Sequence, residues 1–420
     1  MRTFAGLLLA AAAGYAQLTA EQRQLNIESF EKVWTTIRDK HWERNPGGLD
    51  WQAIHAEYRP KIEQAASTEQ ARQVMRDMLA RLHQTHFAIF PGNVYEDVGG
   101  AVMGGGTPGL ETRVLEGQAV VTSIDPGSSA ERAGVHPGWV VTRAGDKDLA
   151  PMIRKLQAVP ELHELTLERA VEAALSGPEG GDLAVTFLDG DGRQRTMNLR
   201  LGPPRGAPSR FGNLPVEYVW FESKKIGNIG YVRFNLFLDL ARVMGEFGKA
   251  VTGCRGCDGF IIDLRGNPGG IGGMAMGMAG FLVEKPDEKL GTMYMRDNSL
   301  KFVINPRAGA FDGPLAVLVD GCSASTSEIF AGGLQDLGRA RIFGTKTAAA
   351  ALPSAIEKLP NGDGFQYAIA NYISEGGKAL EGNGVTPDVT VKLTRAALLA
   401  GRDPVIDAAV EWIRKQRTPQ

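Results

Sequence analysis

The sequence predicts a multidomain α/β protein: a helical N-terminal cap, a β-rich middle and a C-terminal half in which strands and helices alternate. Three observations carry this expectation. Apolar residues recur at helical spacing before residue 85. Short alternating or apolar runs between Gly, Pro and Asp turns fill residues 100–202. From residue 216 onward, apolar strand-like runs are followed by helical segments, the pattern of a buried sheet between helices. A length of 420 residues suits two or three domains, and 43% hydrophobic residues suffice for a sizeable core. With 46 Lys+Arg against 48 Asp+Glu, the net charge is −2. No strong field exists to hold nucleic acid or an anionic membrane, so neither is expected as a partner. Glycine, at 53 residues, is about twice the usual share of roughly 7%, which implies many sharp turns or close backbone approaches.

Met1 to Ala16 reads as a secretory signal peptide. Arg2 supplies the positive charge, Phe4–Ala13 the apolar stretch, and Gly14-Tyr15-Ala16 a small-x-small cleavage site. The stretch is too short for a bilayer, which needs about 20 apolar residues. Ile271–Val283 is also too short and is broken by glycine. The expectation is an exported protein, periplasmic or extracellular, without stable membrane insertion.

Residues 17–97 read as an N-terminal helical domain. Phe30, Val33, Trp34 and Ile37 share one helix face, and Ala71, Val74, Met75, Met78, Leu79 and Leu82 another. Ser67-x-x-Gln70 is a capping-box pattern that would open the second run. Residues 98–202 read as a small β-rich domain, with Asp189-Gly190-Asp191-Gly192 as a hairpin turn. The Pro/Gly-rich segment 203–215 reads as a linker. In residues 216–420 the strands are placed at Tyr231–Phe234, Gly259–Leu264, Leu315–Val319, Arg341–Phe343, Phe365–Asn371 and Val389–Leu393. The helices are placed at Leu238–Thr252, Ile271–Val283, Ser327–Leu337 and Pro404–Lys415.

Three cysteines make no disulfide scaffold. Cys254 and Cys257 have CxxC spacing, but no second CxxC or paired His completes a zinc site. The pair reads as structural or incidental, and in an oxidising compartment it could close, leaving Cys322 as a free thiol.

Two strand–turn–helix junctions carry candidate chemistry. Asp263-Leu264-Arg265-Gly266-Asn267-Pro268-Gly269-Gly270 would expose backbone N–H groups suited to an anion. It lacks the Lys-Ser/Thr of a phosphate-binding loop and reads equally as a tight turn. Asp320-Gly321-Cys322-Ser323-Ala324-Ser325-Thr326-Ser327-Glu328 puts hydroxyls where a strand runs into a helix, the logic of a nucleophile elbow. Ser325-x-x-Glu328 is also a helix cap. A nucleophilic serine needs a base. Of the six histidines, His86 stands out at the end of an apolar helix face, where it could equally be a core residue.

The stretches Gly259–Gly270, Ser323–Ile329 with Gln335-Asp336, and Glu381-Gly382-Asn383-Gly384-Val385-Thr386-Pro387-Asp388 together resemble the tail-specific or C-terminal processing serine peptidases and their tricorn-like branch. Pro108-Gly109-Leu110-Glu111 and Asp125–Val140 resemble a PDZ domain, which this family commonly carries. The resemblance implies a ClpP/crotonase-like α/β peptidase core behind a PDZ-like domain whose loop at Gly109 and Leu110 binds peptide. It implies cleavage through an acyl-enzyme on Ser325, with an oxyanion hole from Thr326 and Gly269-Gly270. In the Ser-Lys members the lysine follows the serine by 25 positions. Here that position is Ala350, and the nearest lysine, Lys346, lies four residues early. The tricorn-like arrangement instead implies Ser325, His86 and Glu381, with Glu381 orienting the imidazole. The expected function is an exported serine endopeptidase acting on unfolded or tail-exposed polypeptides, with no metal or organic cofactor. The alternative is a catalytically silent peptide- or lipophilic-ligand-binding protein on the same scaffold. Nothing in the sequence fixes the oligomeric state.

Overall fold

The structure is a computed structural model that describes residues 18–92, 105–159, 164–213 and 216–417. The expected signal peptide and His163 lie outside the described residues, as does the expected boundary at residues 97 and 98. Among the described residues no helix is long and apolar enough to cross a membrane.

The N-terminal run forms three helices: α1 (Ala20–Lys40), α2 (Trp51–Glu63) and α3 (Thr68–Ala80). Thr19 and Gln22 cap α1 reciprocally, and Ser67 Oγ accepts the Gln70 N–H to open α3. The apolar faces of α1 and α3 are buried against α2 as their spacing requires. The helices do not pack alone, however. Their core also contains Leu359, Phe365 and Tyr367 from the C-terminal half. A short strand after α3, β1 (Ala88–Phe90), completes the join, as described below.

The middle region has a five-stranded antiparallel path. Its elements are β2 (Leu110–Leu115), β3 (Gln118–Ile124), β4 (Val140–Ala144), α4 (Leu149–Gln157), α5 (Glu164–Ala174), β5 (Asp182–Leu188) and β6 (Gln194–Arg200). The strand order is β2-β3-β4-β5-β6, so β2 is an edge. The Asp189–Gly192 turn joins β5 to β6 with Leu188 opposite Gln194, as the Asp-Gly pattern requires. Val121, Val141, Val185 and Phe187 pack beneath Ile153 of α4 and Val171 of α5. The segment expected as a linker is partly structured, because Ala207–Ser209 pairs with Glu217–Val219.

The C-terminal half contains β7 (Phe221–Ile226), β8 (Ile229–Phe234), α6 (Leu240–Thr252), β9 (Gly259–Asp263), α7 (Gly272–Ala279), β10 (Leu315–Val319), α8 (Thr326–Asp336), β11 (Arg341–Gly344), β12 (Ser354–Lys358), β13 (Gly364–Ala368), β14 (Val389–Thr390) and α9 (Pro404–Arg417). The main sheet runs β7-β8-β9-β10-β11-β14. All its pairs are parallel except β7–β8. Side chains alternate between two cores. Phe260, Ile262, Leu315 and Val317 face α6 and α8, while Ile261, Ala316 and Leu318 face α9. Both faces are covered, which is why these strands are continuously apolar.

The stretch expected as one strand at Phe365–Asn371 is two. β13 ends at Ala368 and pairs with β1 and β12, whereas Asn371–Ser374 pairs with Lys289–Tyr294 in another sheet. Strand pairing therefore changes sheets across Ile369-Ala370. Cys254 and Cys257 are joined in a disulfide, and Cys322 is a buried free thiol.

Candidate active site

Both glycine junctions lie at the C-terminal ends of neighbouring parallel strands, where ligands of open α/β sheets bind. Buried and half-buried polar contacts pin them together. Asp320 Oδ1 accepts the N–H of Gly266 at 2.9 Å and of Cys322 at 3.0 Å. Ser323 Oγ donates to the Leu264 carbonyl at 2.7 Å, and Ser327 Oγ to that of Asn267 at 2.8 Å.

Ser325 is half-buried at the N-cap of α8, with φ 53° and ψ −116°. A left-handed backbone at a serine is costly and must be held by its surroundings. Its N–H is held twice, by the Ala350 carbonyl at 2.8 Å and by Glu328 Oε2 at 3.0 Å. Glu328 is fully buried. It also accepts Ala350 N–H at 3.0 Å, Ala349 N–H at 2.9 Å and Thr347 Oγ–H at 2.5 Å. Burial pushes its carboxyl up to about 7 while these four donors pull it back. Glu328 therefore does more than cap α8: it ties segment 347–350 to the turn that carries Ser325.

Gly269 has φ +102°, and a Cβ there would lie 2.8 Å from Ser325 Cβ and from Thr326 N. Only glycine lets the two turns approach so closely. Gly269 N–H donates to Asn267 Oδ1 at 2.9 Å. Thr326 N–H, in the first turn of α8, has no intrahelical acceptor. Gly270 is in register with Phe237 through its neighbours' peptide groups, and its carbonyl accepts Thr326 Oγ–H at 2.9 Å.

The third component comes from the N-terminal region. The chain leaves α3 through His83 and His86, both at positive φ, and enters β1, which pairs Ile89 with Phe365 of β13. That pairing anchors the segment to the C-terminal half. Glu381 Oε1 accepts Thr85 N–H at 2.9 Å, and its Oε2 accepts Thr85 Oγ–H at 2.9 Å and Ala351 N–H at 3.0 Å. Thr85 Oγ lies 2.7 Å from His86 Nδ1. A hydroxyl has one proton, and Thr85 gives it to Glu381. The contact with Nδ1 then requires that nitrogen to carry its own hydrogen, leaving Nε2 as the basic atom.

His86 and Glu381 open on a cleft of about 990 Å³, together with Pro268, Ala324, Ala349 and Ala350. Those last four flank the Ser325 turn. Thr85 thus links Glu381 to His86. Thr85 is the residue that sequence reasoning passed over, although it immediately precedes His86. Lys346 is exposed and lines a different cleft, with Arg113, Glu164 and Asp320. Gly109 and Leu110 lead into edge strand β2, where Gly109 N–H donates to Thr107 Oγ at 3.1 Å and Leu110 pairs with Ile124. A further cleft of about 760 Å³ runs from Glu111 and Thr112 of β2, along Glu168 and Glu172 of α5, to Gly269 and Gly270.

The chain is similar to known proteins in both sequence and fold. The family model for Peptidase family S41 matches residues 228–391, and that for the Tricorn protease C1 domain matches residues 26–80. A probable CtpA-like serine protease of Staphylococcus haemolyticus (strain JCSC1435) is 25% identical over 395 residues, covering 92% of this chain and 70% of the relative. Another, of Staphylococcus aureus (strain COL), is 28% identical over 286 residues, covering 67% and 52%. The chain thus spans about half the length of the latter. In fold, the chain is similar to a photosystem II D1 C-terminal processing protease, with TM-score 0.56, 23% identity, and 92% and 99% of the two chains covered. It is also similar to mature CPAF, with TM-score 0.64, 14% identity, and 94% and 99% covered. The S41 match over residues 228–391, the tricorn C1 match over residues 26–80 and these serine protease relatives together support a serine peptidase of the tail-specific, C-terminal processing type.

Proposed function

We propose that this chain is an exported endopeptidase that hydrolyses unfolded or tail-exposed polypeptides through an acyl-enzyme on Ser325. The observation that carries this reading is the hydrogen-bond chain from Glu381 through Thr85 to His86 Nδ1, beside a cleft walled by the neighbours of Ser325. Ser325 Oγ attacks the scissile carbonyl carbon as its proton passes to His86 Nε2. The N–H groups of Thr326 and Gly270 receive the oxyanion, and Gly269 serves by letting the backbone approach. The imidazolium hands its proton to the leaving amine, and water then repeats the sequence on the ester. Throughout, Thr85 and Glu381 hold the imidazole in one tautomer and stabilise its charge.

The free edge of β2 beginning at Gly109 and Leu110, with α5 alongside, suits addition of an extended peptide strand as in a PDZ-like domain. The 760 Å³ cleft supports delivery of that peptide to Gly269-Gly270. Export is supported by the N-terminal charge and apolar pattern and by a Cys254–Cys257 disulfide suited to an oxidising compartment.

Digestion of an unstructured protein, with fragments read by mass spectrometry, tests the reading. Internal cleavage by wild type and none by Ser325→Ala is expected. Removal of terminal residues alone would overturn the endopeptidase assignment. Absence of both cleavage and fluorophosphonate labelling would favour the silent-binder alternative.

A further inference from the structure

Outside the Ser325 cleft, α5 meets the turn before the nucleophile through a side-chain cluster that the catalytic steps do not use. One ligand atom each from Glu164, Glu168 and Cys322 lies within 4.8 Å of the others. Glu168 is 7% exposed and Cys322 2%. Glu168 Oε1 accepts Val114 N–H, but its buried Oε2 has no hydrogen-bond partner among the described residues. An unpaired carboxylate oxygen in such a place costs free energy and calls for a cation or donor. The Arg113 guanidinium, whose charge acts on Glu168, is already engaged by Asp320 Oδ2 at 3.0 Å and the Thr112 carbonyl at 2.7 Å. Glu164, Glu168 and Asp320 against Arg113 leave a formal excess of two negative charges. Glu164 lies flat on Gly321, where a built Cβ would sit 1.9 Å from Oε2, so the glycine makes room for that carboxylate.

We propose that Glu164, Glu168 and Cys322 form a binding site for a thiophilic divalent cation of the zinc type, which clamps α5 to the turn preceding Ser325. Two carboxylates and a thiolate are a donor set that zinc accepts, with bonds of about 2.0–2.3 Å and a fourth position open to water. Such bonds require ligand separations of roughly 3.3–3.8 Å, so the three side chains, now within 4.8 Å of one another, would draw together on binding. The sulfur disfavours magnesium or calcium, which take oxygen ligands. On binding, the Cys322 thiol releases its proton to solvent and the thiolate sulfur donates to the metal. Leu165 and Arg169 of α5 line the His86 cleft. A metal clamp on this helix therefore restrains one wall of that cleft and slows access to it. This second statement rests on the catalytic reading above, whereas the binding statement does not.

The chain has three cysteines, and two are paired, so a metal–thiolate absorption band reports Cys322 alone. Titration of the full chain with cadmium should give that band at one equivalent, and zinc should displace it. Glu168→Gln and the exposed Glu164→Gln should each weaken binding at least about tenfold, with wild-type circular dichroism as the folding check. Failure to bind at micromolar metal, or unchanged affinity in both glutamine variants, would overturn the site. Zinc should also slow fluorophosphonate labelling in wild type but not in Cys322→Ser, and a chelator should reverse it. Binding without any effect on labelling would overturn the clamp alone. If wild type without metal is not labelled at all, the catalytic reading fails while the binding result stands.

Discussion

Thr85→Val removes one hydroxyl and keeps the side-chain shape, so it isolates the link between Glu381 and His86. The Thr85 N–H to Glu381 Oε1 bond of 2.9 Å survives the change, and with it the anchoring of the segment. What is lost is the 2.9 Å bond to Oε2 and the acceptor 2.7 Å from His86 Nδ1. A hydrogen bond involving a charged partner contributes about 1.5–3 kcal/mol, and in the proposed mechanism the imidazole gains its charge by taking the serine proton. The loss should therefore fall on the transition state, lowering kcat by about 10- to 100-fold with KM little changed. Steady-state hydrolysis of a peptide substrate, together with the rate of fluorophosphonate acylation, measures this. Thr85→Ser, which restores the hydroxyl, should recover most of the rate. A folded Thr85→Val enzyme within about threefold of wild type would refute the relay.

Glu328 carries a pH signature. Burial raises its carboxyl to about 7 in the folded protein, so the folded state binds the proton more tightly than the unfolded chain does. Stability from this source is full below about 4.5 and is lost as pH rises through about 7, by up to about 3 kcal/mol. Thermal unfolding from pH 5 to pH 8 should show wild type losing stability relative to Glu328→Gln; parallel curves would contradict this. Gly269→Ala would put a methyl 2.8 Å from Ser325 Cβ and Thr326 N at a φ of +102°. It should abolish acylation in a protein that still folds, and normal labelling would contradict the close approach. Lys40 Nζ, 2.7 Å from Glu357, joins α1 to β12 and, with the Tyr367 hydroxyl, lowers that carboxyl to about 2. Its contribution is present above about 4.5 and lost as pH falls through about 2, so the protection of amide hydrogens in the N-terminal helices, relative to the intrinsic exchange rate at each pH, should fall in acid. Lys40→Met should remove that acid step, and its persistence would point to other groups.

The elements best read from residues alone are those whose burial pattern is complete within a few positions. Leu315–Val319 is apolar throughout and bounded by turns, and β10 has those limits. Ile369-Ala370 carries no Gly, Pro or Asp punctuation, so the switch between sheets there left no local sign. β7, Phe-Glu-Ser-Lys-Lys-Ile, is the sheet's antiparallel edge, and its charges mask a strand. At the candidate site, Ser325 could be singled out at a strand-to-helix turn and His86 among six histidines, and Glu381 through the family resemblance alone. Thr85 and the wider role of Glu328 could not. Their meaning depends on groups far along the chain: Glu381 for Thr85, and Thr347, Ala349 and Ala350 for Glu328. The same holds for Glu168 and Cys322, which meet only because α5 packs beside the Ser325 turn.

The central claim is that an imidazole from the N-terminal segment activates a hydroxyl at the end of the C-terminal sheet. Fluorophosphonate labelling rates, with the adduct mapped by mass spectrometry, test it most directly. The adduct should fall on the Ser325 peptide in wild type, form at the wild-type rate in Lys346→Ala, and slow by at least about 100-fold in His86→Ala. Equal rates in His86→Ala and wild type, or an adduct on another residue, would contradict the account.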